Sequence, residues 1–257
     1  MSSFTPVRDI LLIHGAWQGS WAFAAWRPSL EAAGWRVHSV DLPGNGHAAV
    51  TAERPVTLAG YTAQACEALV AIGCPAVVLG HSGGGMVASQ LAEVLPESVA
   101  ALVYLVGMLL PSGMTYAELI AQVQADDPGW TYAGIGPHLV WSADGRSSHV
   151  DPEGALATFV HDCPPAAARA AVAQLTPQPE SGRAIRNLLT PQRFGRVPRL
   201  YVACRQDRSV PWILQLRMQQ LQPPQARLVL DCGHVPHLAC PQTLSDALLP
   251  ALDALLA

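Results

Sequence analysis

The sequence predicts an α/β fold, a mostly parallel sheet flanked by helices, and three observations carry that prediction. Short apolar, β-branched runs alternate with longer segments whose apolar residues recur at helical spacing. The run from Val99 to Val106 is apolar throughout, as a strand covered on both faces requires. The run Ala76-Val77-Val78-Leu79 enters Gly80-His81-Ser82-Gly83-Gly84 and leaves in a segment rich in Ala, Leu and Gln, which reads as strand, abrupt turn and helix. A chain of 257 residues with 50% hydrophobic content can bury one large core, so a single domain carrying an insertion is expected.

The elements follow in order. Ile10 to Ile13 is a short buried strand that stops at the glycine-rich loop His14-Gly15-Ala16-Trp17-Gln18-Gly19-Ser20-Trp21. Such a loop, at the end of a parallel strand, is where an α/β sheet builds its site. Trp21 to Ala33 carries apolar residues at helical spacing, with Gly34 as its cap. Trp35 to Val40 is the next strand, closed by the turn Asp41-Leu42-Pro43-Gly44-Asn45-Gly46. Leu58 to Ile72 reads as a helix with Thr57 as N-cap and Gly73 as stop. The elbow strand and helix follow, and Pro96 ends that helix.

From Pro111 to about Thr190 the rhythm breaks. Pro and Gly recur, and the helical patterns at Tyr116 to Gln124, Gly154 to Val160 and Pro165 to Gln174 are not separated by core strands. Residues 111–190 are therefore expected to form a helical lid inserted into a core made of residues 1–110 and 191–257. The alternation resumes with a strand at Arg199 to Cys204, a helix at Trp212 to Leu221, a strand at Ala226 to Leu230 and a last helix at Gln242 to Leu256.

Composition removes several classes of function. The net charge of −4 is spread over 15 basic and 19 acidic residues without long blocks of either sign, which argues against a nucleic-acid or anionic-membrane surface. All the basic residues are Arg, so chemistry that needs a Schiff-base or P-loop lysine is excluded. The segment Met1 to Asp9 is short and polar and leads to no signal-peptidase site, and no apolar stretch is long enough to span a membrane. The six cysteines lack C-x-x-C spacing and are expected as free thiols in a cytoplasmic chain.

Gly80-His81-Ser82-Gly83-Gly84 fits the G-x-S-x-G nucleophile elbow, in which glycines let strand and helix approach while the serine is held in a strained, exposed turn. A serine hydroxyl needs a base to take its proton, and the base needs an acid to fix its tautomer. In this arrangement the acid and then the histidine follow the serine along the chain. Asp207 directly follows the Leu200 to Cys204 strand and His234 directly follows the last strand. Asp231 is a rival acid and His237 a rival base, while His234-x-x-His237 lacks the further ligands a metal site needs. The oxyanion donors expected are the backbone N–H groups of Gly83 and Ala16. His14 and His81 are expected to be structural, His14 by fixing the oxyanion loop and His81 by packing beside Ser82. Trp17, Met108, Leu110, Trp130, Trp141 and Phe159, with His81, are candidates for lining the substrate pocket.

These motifs, together with Asp41-Leu42-Pro43-Gly44, Val202-Ala203-Cys204-Arg205-Gln206-Asp207 with Val210-Pro211, and His234 followed by Leu238 and Pro241-Gln242, resemble the α/β-hydrolase branch that contains plant methyl esterases and hydroxynitrile lyases. The resemblance covers nearly the whole chain outside the lid. It implies an α/β-hydrolase fold with a helical lid, Ser82, Asp207 and His234 as triad, Ala16 and Gly83 as oxyanion donors, and no cofactor. The lyases of this branch carry a threonine where this sequence has Gly15 and a lysine where it has Val235, so the resemblance implies ester hydrolysis rather than cyanohydrin cleavage. The Ala, Arg and Pro bias and the absence of Lys resemble a bacterial chain of high-GC coding.

The expected activity is thus hydrolysis of small to medium, mostly apolar carboxylic esters through an acyl-enzyme. A thioesterase, acyltransferase or cyclase using the same triad, a hydroxynitrile lyase and a non-catalytic binding protein are the alternatives. A small-molecule ester is the expected partner, with no nucleic acid and no membrane, and a homodimer is left open.

Overall fold

A computed structural model describes residues 7–48, 50–51 and 53–257. Residues 1–6, part of the N-terminal segment read above as carrying no secretion signal, lie outside the described residues, as do residues 49 and 52. The core begins with β1 (Asp9–Ile13), α1 (Arg27–Ala32), β2 (Arg36–Val40), α2 (Leu58–Ile72), β3 (Ala76–His81), α3 (Gly84–Val94) and β4 (Val99–Leu105). Between β4 and the next core strand come α4 (Tyr116–Asp126), β5 (Leu139–Trp141), β6 (Ser147–Val150), α5 (Pro152–Thr158), α6 (Pro165–Val172) and β7 (Gln178–Pro179). The core then completes with β8 (Arg199–Cys204), α7 (Trp212–Leu221), β9 (Ala226–Leu230), α8 (Pro236–Ala239) and α9 (Pro241–Leu256).

The six core strands form one sheet in the order β2-β1-β3-β4-β8-β9, and every described pairing within it is parallel. Alternate residues of each strand go to opposite faces, as the period of two demands. Leu11, Ile13, Val78, Leu102, Tyr104 and Tyr201 pack with Met86, Leu91 and Leu214 of α3 and α7 on one face. Ile10, Leu12, Val77, Leu79, Val103 and Val202 pack with Leu30 of α1 and Leu244, Leu248 and Leu252 of α9 on the other. The order also reverses at the β1/β3 boundary, with the chain proceeding to β2 on one side and to β4 on the other. The loops after β1 and β3 therefore leave side by side at the carboxyl edge of the sheet, the place where such folds form their crevice.

The sequence-predicted core elements recur with small shifts, and two differences have a physical cause. The helix expected over Trp21 to Ala33 is split into a 3₁₀ turn (Ser20–Phe23) and α1. Pro28, at the start of α1, has no N–H to continue a helix from the preceding turn and instead favours a new first turn. The segment 111–190, expected to be helical, also holds a three-stranded antiparallel sheet, β5-β6-β7. Its strands are two to four residues long, too short to show alternation. By contrast, α2 follows expectation closely: Thr57 Oγ1 accepts the Gly60 N–H at 3.2 Å, and Gly73 stops the helix at φ 77°. No described helix is long and apolar enough to cross a membrane.

His237, on α8, is fully buried against the rings of Phe23 and His81, at 5.1 and 4.6 Å, and neither of its ring nitrogens has a hydrogen-bond partner. Burial, followed by the nearby His234, holds its pKa down to about 3, so the folded protein keeps it neutral. The unfolded chain takes up that proton near pH 6.5. Stability contributed by neutral His237 is therefore complete above about pH 6.5 and declines as pH falls toward 3, at roughly 1.4 kcal/mol per pH unit for one proton. Denaturant unfolding from pH 7 to 4 is expected to give a shallower stability slope for His237→Leu than for the wild type. Parallel slopes would show that His237 titrates alike in both states.

Candidate active site

The elbow is built by close approach. A Cβ on Gly80 would stand 2.6 Å from Gly84 O and Gly85 Cα, and one on Gly84 would stand 2.5 Å from the carbonyl oxygens of Ile13 and His14. Only glycine permits β3, α3 and the end of β1 to meet so tightly. Between them Ser82 takes φ 51°, a left-handed conformation costly for a residue with a Cβ. Its backbone is tied on both sides, since its N–H donates to Leu105 O at 3.2 Å and its carbonyl accepts the Met108 and Gly85 N–H groups at 2.8 and 3.1 Å. Gly83 is the N-cap of α3, where the helix presents unpaired N–H groups and positive potential.

The loop after β1 faces this turn. A Cβ on Gly83 would find Ala16 N at 3.8 Å, so the two N–H groups expected as oxyanion donors come from neighbouring backbone. His14 holds the loop from beneath, with Nδ1–H donating to Gly15 O at 2.8 Å and Nε2 accepting the Leu42 N–H at 3.0 Å. Those two bonds use one donor and one acceptor and thus specify a neutral ring. Burial lowers the His14 pKa in the same sense. Asp41, which the sequence showed only as part of a turn, accepts the Ser20 and His47 N–H groups at 2.6 and 3.0 Å and so fixes the far end of the loop.

Trp17 is the second strained residue, at φ 61°. Its N–H donates to Gln178 Oε1 at 3.3 Å, its carbonyl accepts the Thr176 N–H at 2.9 Å, and its indole N–H donates to Ser148 O at 3.1 Å. All three partners belong to segment 111–190, and Gln178 is itself held by donating to Tyr61 Oη at 2.9 Å. Segment 111–190 thereby fixes the loop that carries Ala16. Sequence reasoning missed Gln178, because a glutamine between two prolines gives no signal of a long-range contact.

The other end of the site lies between the loops after β8 and β9. His234 Nδ1–H donates to Asp207 Oδ2 at 2.7 Å, with both side chains buried. The second Asp207 oxygen accepts the Ser209 and Val210 N–H groups at 2.7 and 2.9 Å. Asp231 is exposed and instead accepts from Gln206 Nε2 at 3.0 Å, so the carboxylate paired with His234 in the structure is Asp207. Asp162, also unforeseen, accepts the Gly233 N–H at 2.6 Å and steadies the loop that carries His234. Among the described residues no hydrogen bond joins Ser82 Oγ to His234. The link between them runs through His81, whose Nε2–H donates to His234 O at 2.9 Å and whose Nδ1 lies 3.1 Å from the Gln18 side-chain amide. Burial and then the neighbouring histidines push the His81 pKa well below the ordinary value, so it is a neutral strut between three loops.

Over Ser82 lies a cavity of about 210 Å³. Its apolar wall includes Met86, Val87, Met108, Ile120, Ile135 and Val210, and Tyr116, Tyr132 and Arg183 enter it from segment 111–190. Of the pocket residues expected from sequence, Trp17 and Met108 line the cavity. The other five are placed elsewhere. His81 is behind the elbow, and Leu110 is buried in the sheet core. Phe159 is wedged between Trp17 and His234 at centroid distances of 5.9 and 5.3 Å. Trp130 packs beside Tyr132, at 6.3 Å, and Trp141 is 46% exposed under the Arg183 guanidinium. Residue type marked these side chains as candidates, but the packing of the chain decides which ones reach the cavity.

Comparison with known proteins agrees with this architecture. Residues 10–247 match the Alpha/beta hydrolase family. A pyrethroid hydrolase from Sphingobium wenxiniae is 33% identical over 96% of this chain and 89% of its own length. Salicylic acid-binding protein 2 from Nicotiana tabacum is 26% identical over 94% of this chain and 96% of its own. The crystal structure of a pyrethroid hydrolase from Sphingobium faniae superposes with a TM-score of 0.83 at 29% identity, over 96% of this chain and 98% of that one. The chain belongs to the alpha/beta hydrolase family, as a carboxylesterase-type enzyme.

Proposed function

We propose that the protein hydrolyses small to medium, mostly apolar carboxylic esters through an acyl-enzyme on Ser82, with residues 111–190 acting as the cap of the site. The observation that carries this reading is the strained serine at φ 51° beneath a largely apolar cavity, with the buried Asp207–His234 pair held beside it through His81. In this reading His234 takes the Ser82 proton as the hydroxyl attacks the ester carbonyl, and Asp207 keeps the imidazole in the correct tautomer. The Ala16 and Gly83 N–H groups receive the charge that develops on the carbonyl oxygen. His234 then protonates the leaving alcohol and activates the water that releases the acid.

Two features favour hydrolysis over cyanohydrin cleavage. A Cβ at position 15 would stand 2.8 Å from Ser82 Cβ, so the space beside the nucleophile depends on Gly15. Val235 is fully buried in the cluster that holds Trp17 and Phe159, an environment hostile to an ammonium group. The names of the relatives, a pyrethroid hydrolase and plant methylesterases, support an ester as substrate and leave its acid and alcohol parts to this chain's own cavity.

Two measurements test the reading. Ser82→Ala is expected to lower kcat for p-nitrophenyl butyrate at least about 10³-fold, and substantial residual turnover would sink the mechanism. Gln178→Leu, which releases the Trp17 N–H, is expected to lower kcat roughly 10- to 100-fold while KM stays within about threefold, as loss of oxyanion alignment requires. A raised KM with kcat intact would make Gln178 a substrate contact instead.

A further inference from the structure

Resting on the reading of Ser82, His234 and Asp207 as the hydrolytic machinery, we propose that Tyr132 is a positioning residue for Asp207, acting through the peptide group that joins Ser209 to Val210. One peptide plane connects the two side chains. Its carbonyl, Ser209 O, accepts the Tyr132 hydroxyl at 3.3 Å, and its N–H, that of Val210, donates to Asp207 Oδ1 at 2.9 Å. Among the described residues no other hydrogen bond reaches the Ser209 carbonyl. A donor on a peptide carbonyl draws charge through the amide and makes its N–H a better donor, so two bonds in series strengthen each other. Oδ1, which also accepts the Ser209 N–H at 2.7 Å, is the carboxylate oxygen turned away from His234, whose Nδ1–H takes Oδ2 at 2.7 Å. Fixing Oδ1 therefore fixes the rotation of the carboxylate that His234 meets.

The surroundings hold Tyr132 in that position. Its ring packs edge-on against Tyr116, at 6.4 Å and 83°, and against Trp130, at 6.3 Å. A Cβ on Gly134 would clash with the Tyr132 hydroxyl and stand 2.5 Å from Ser209 O, so glycine is what lets the chain close over this hydrogen bond. The next carbonyl of the loop, Val210 O, accepts Gln215 Nε2 at 2.8 Å, and Gln215 Oε1 accepts the Cys204 N–H at 2.9 Å. The loop that carries Asp207 is thus tied to β8 by a buried glutamine of α7 and to segment 111–190 by the phenol. Burial raises the Tyr132 pKa, which keeps the hydroxyl protonated and donating across the neutral range. Tyr132 also lines the cavity, so the side chain that walls the site is the one that reaches the Asp207 loop.

The test reads the Val210 amide and the kinetics together. Tyr132→Phe keeps the ring and removes the donor. In ¹H–¹⁵N spectra of the full chain it is expected to move the Val210 amide proton upfield, as a weakened bond to Asp207 requires. It is also expected to lower kcat for p-nitrophenyl butyrate about 3- to 10-fold, the size of one neutral hydrogen bond, with KM within about twofold. Placing p-aminophenylalanine at position 132 returns an N–H donor to the same place and is expected to move both readouts back toward the wild type. Gly134→Ala, which keeps the hydroxyl but spreads it from Ser209 O, is expected to repeat the upfield shift and decides the matter should Tyr132→Phe not fold. A Val210 amide proton that stays in place, a kcat that stays at the wild-type value, or a loss carried by KM alone would overturn the proposal, the last by making Tyr132 a substrate contact. Failure of the hydrolysis reading differs in kind, since the wild type would then turn over no ester while the Val210 amide still reports on the bond in question.

Discussion

The structure depends on the contact between β3 and α3 at Gly80, Gly84 and Gly85. At that approach the backbone cannot pass from strand to helix without one residue in a left-handed conformation, and Ser82 is the residue that takes it. Such strain persists only where the surroundings over-determine it. Here the surroundings are the two strands beside β3, the helix that follows, and Met108 on the next loop. The sheet order adds the remaining condition. Because the chain diverges at β1 and β3, the loops after these strands emerge together and bring Ala16 to Gly83.

His81 extends that constraint sideways. Sitting one residue before the serine, it touches the loop after β1 through Gln18 and the loop after β9 through the His234 carbonyl. A small neutral ring thus sets the spacing of Ser82, the loop after β1 and His234. Residues 111–190 add further ties, holding Trp17 through Gln178, Thr176 and Ser148, and Gly233 through Asp162. Residues 111–190 therefore bear on the position of the loop after β1 as well as on the walls of the cavity.

Legibility in the sequence followed the range of the forces involved. Elements set by local chemistry were readable: the Thr57 cap, the Gly73 stop, the apolar strands and the strand-turn-helix of the elbow. Ser82, Asp207 and His234 could be named because chain order ties each to the end of a strand. The choice of Asp207 over Asp231 was supported by that order, and the structure pairs Asp207 with His234 through space. The split near Pro28 was readable in principle, since proline cannot continue the preceding turn. The pocket was not. Trp141, Trp130 and Phe159 are aromatic like Tyr116 and Tyr132, and only the packing of segment 111–190 sends the tyrosines inward. Gln178 and Asp162 act through contacts with residues far away in the chain, which no local pattern records.

The central claim, that the strained Ser82 is an acylated nucleophile, is tested most directly by trapping. Treatment with a p-nitrophenyl carbamate, whose adduct hydrolyses slowly, should release one equivalent of p-nitrophenolate and add one carbamoyl group, found by peptide mass spectrometry on Ser82, as esterase activity disappears. Full esterase activity with no adduct at Ser82, or inactivation by an adduct on another residue, would contradict the account.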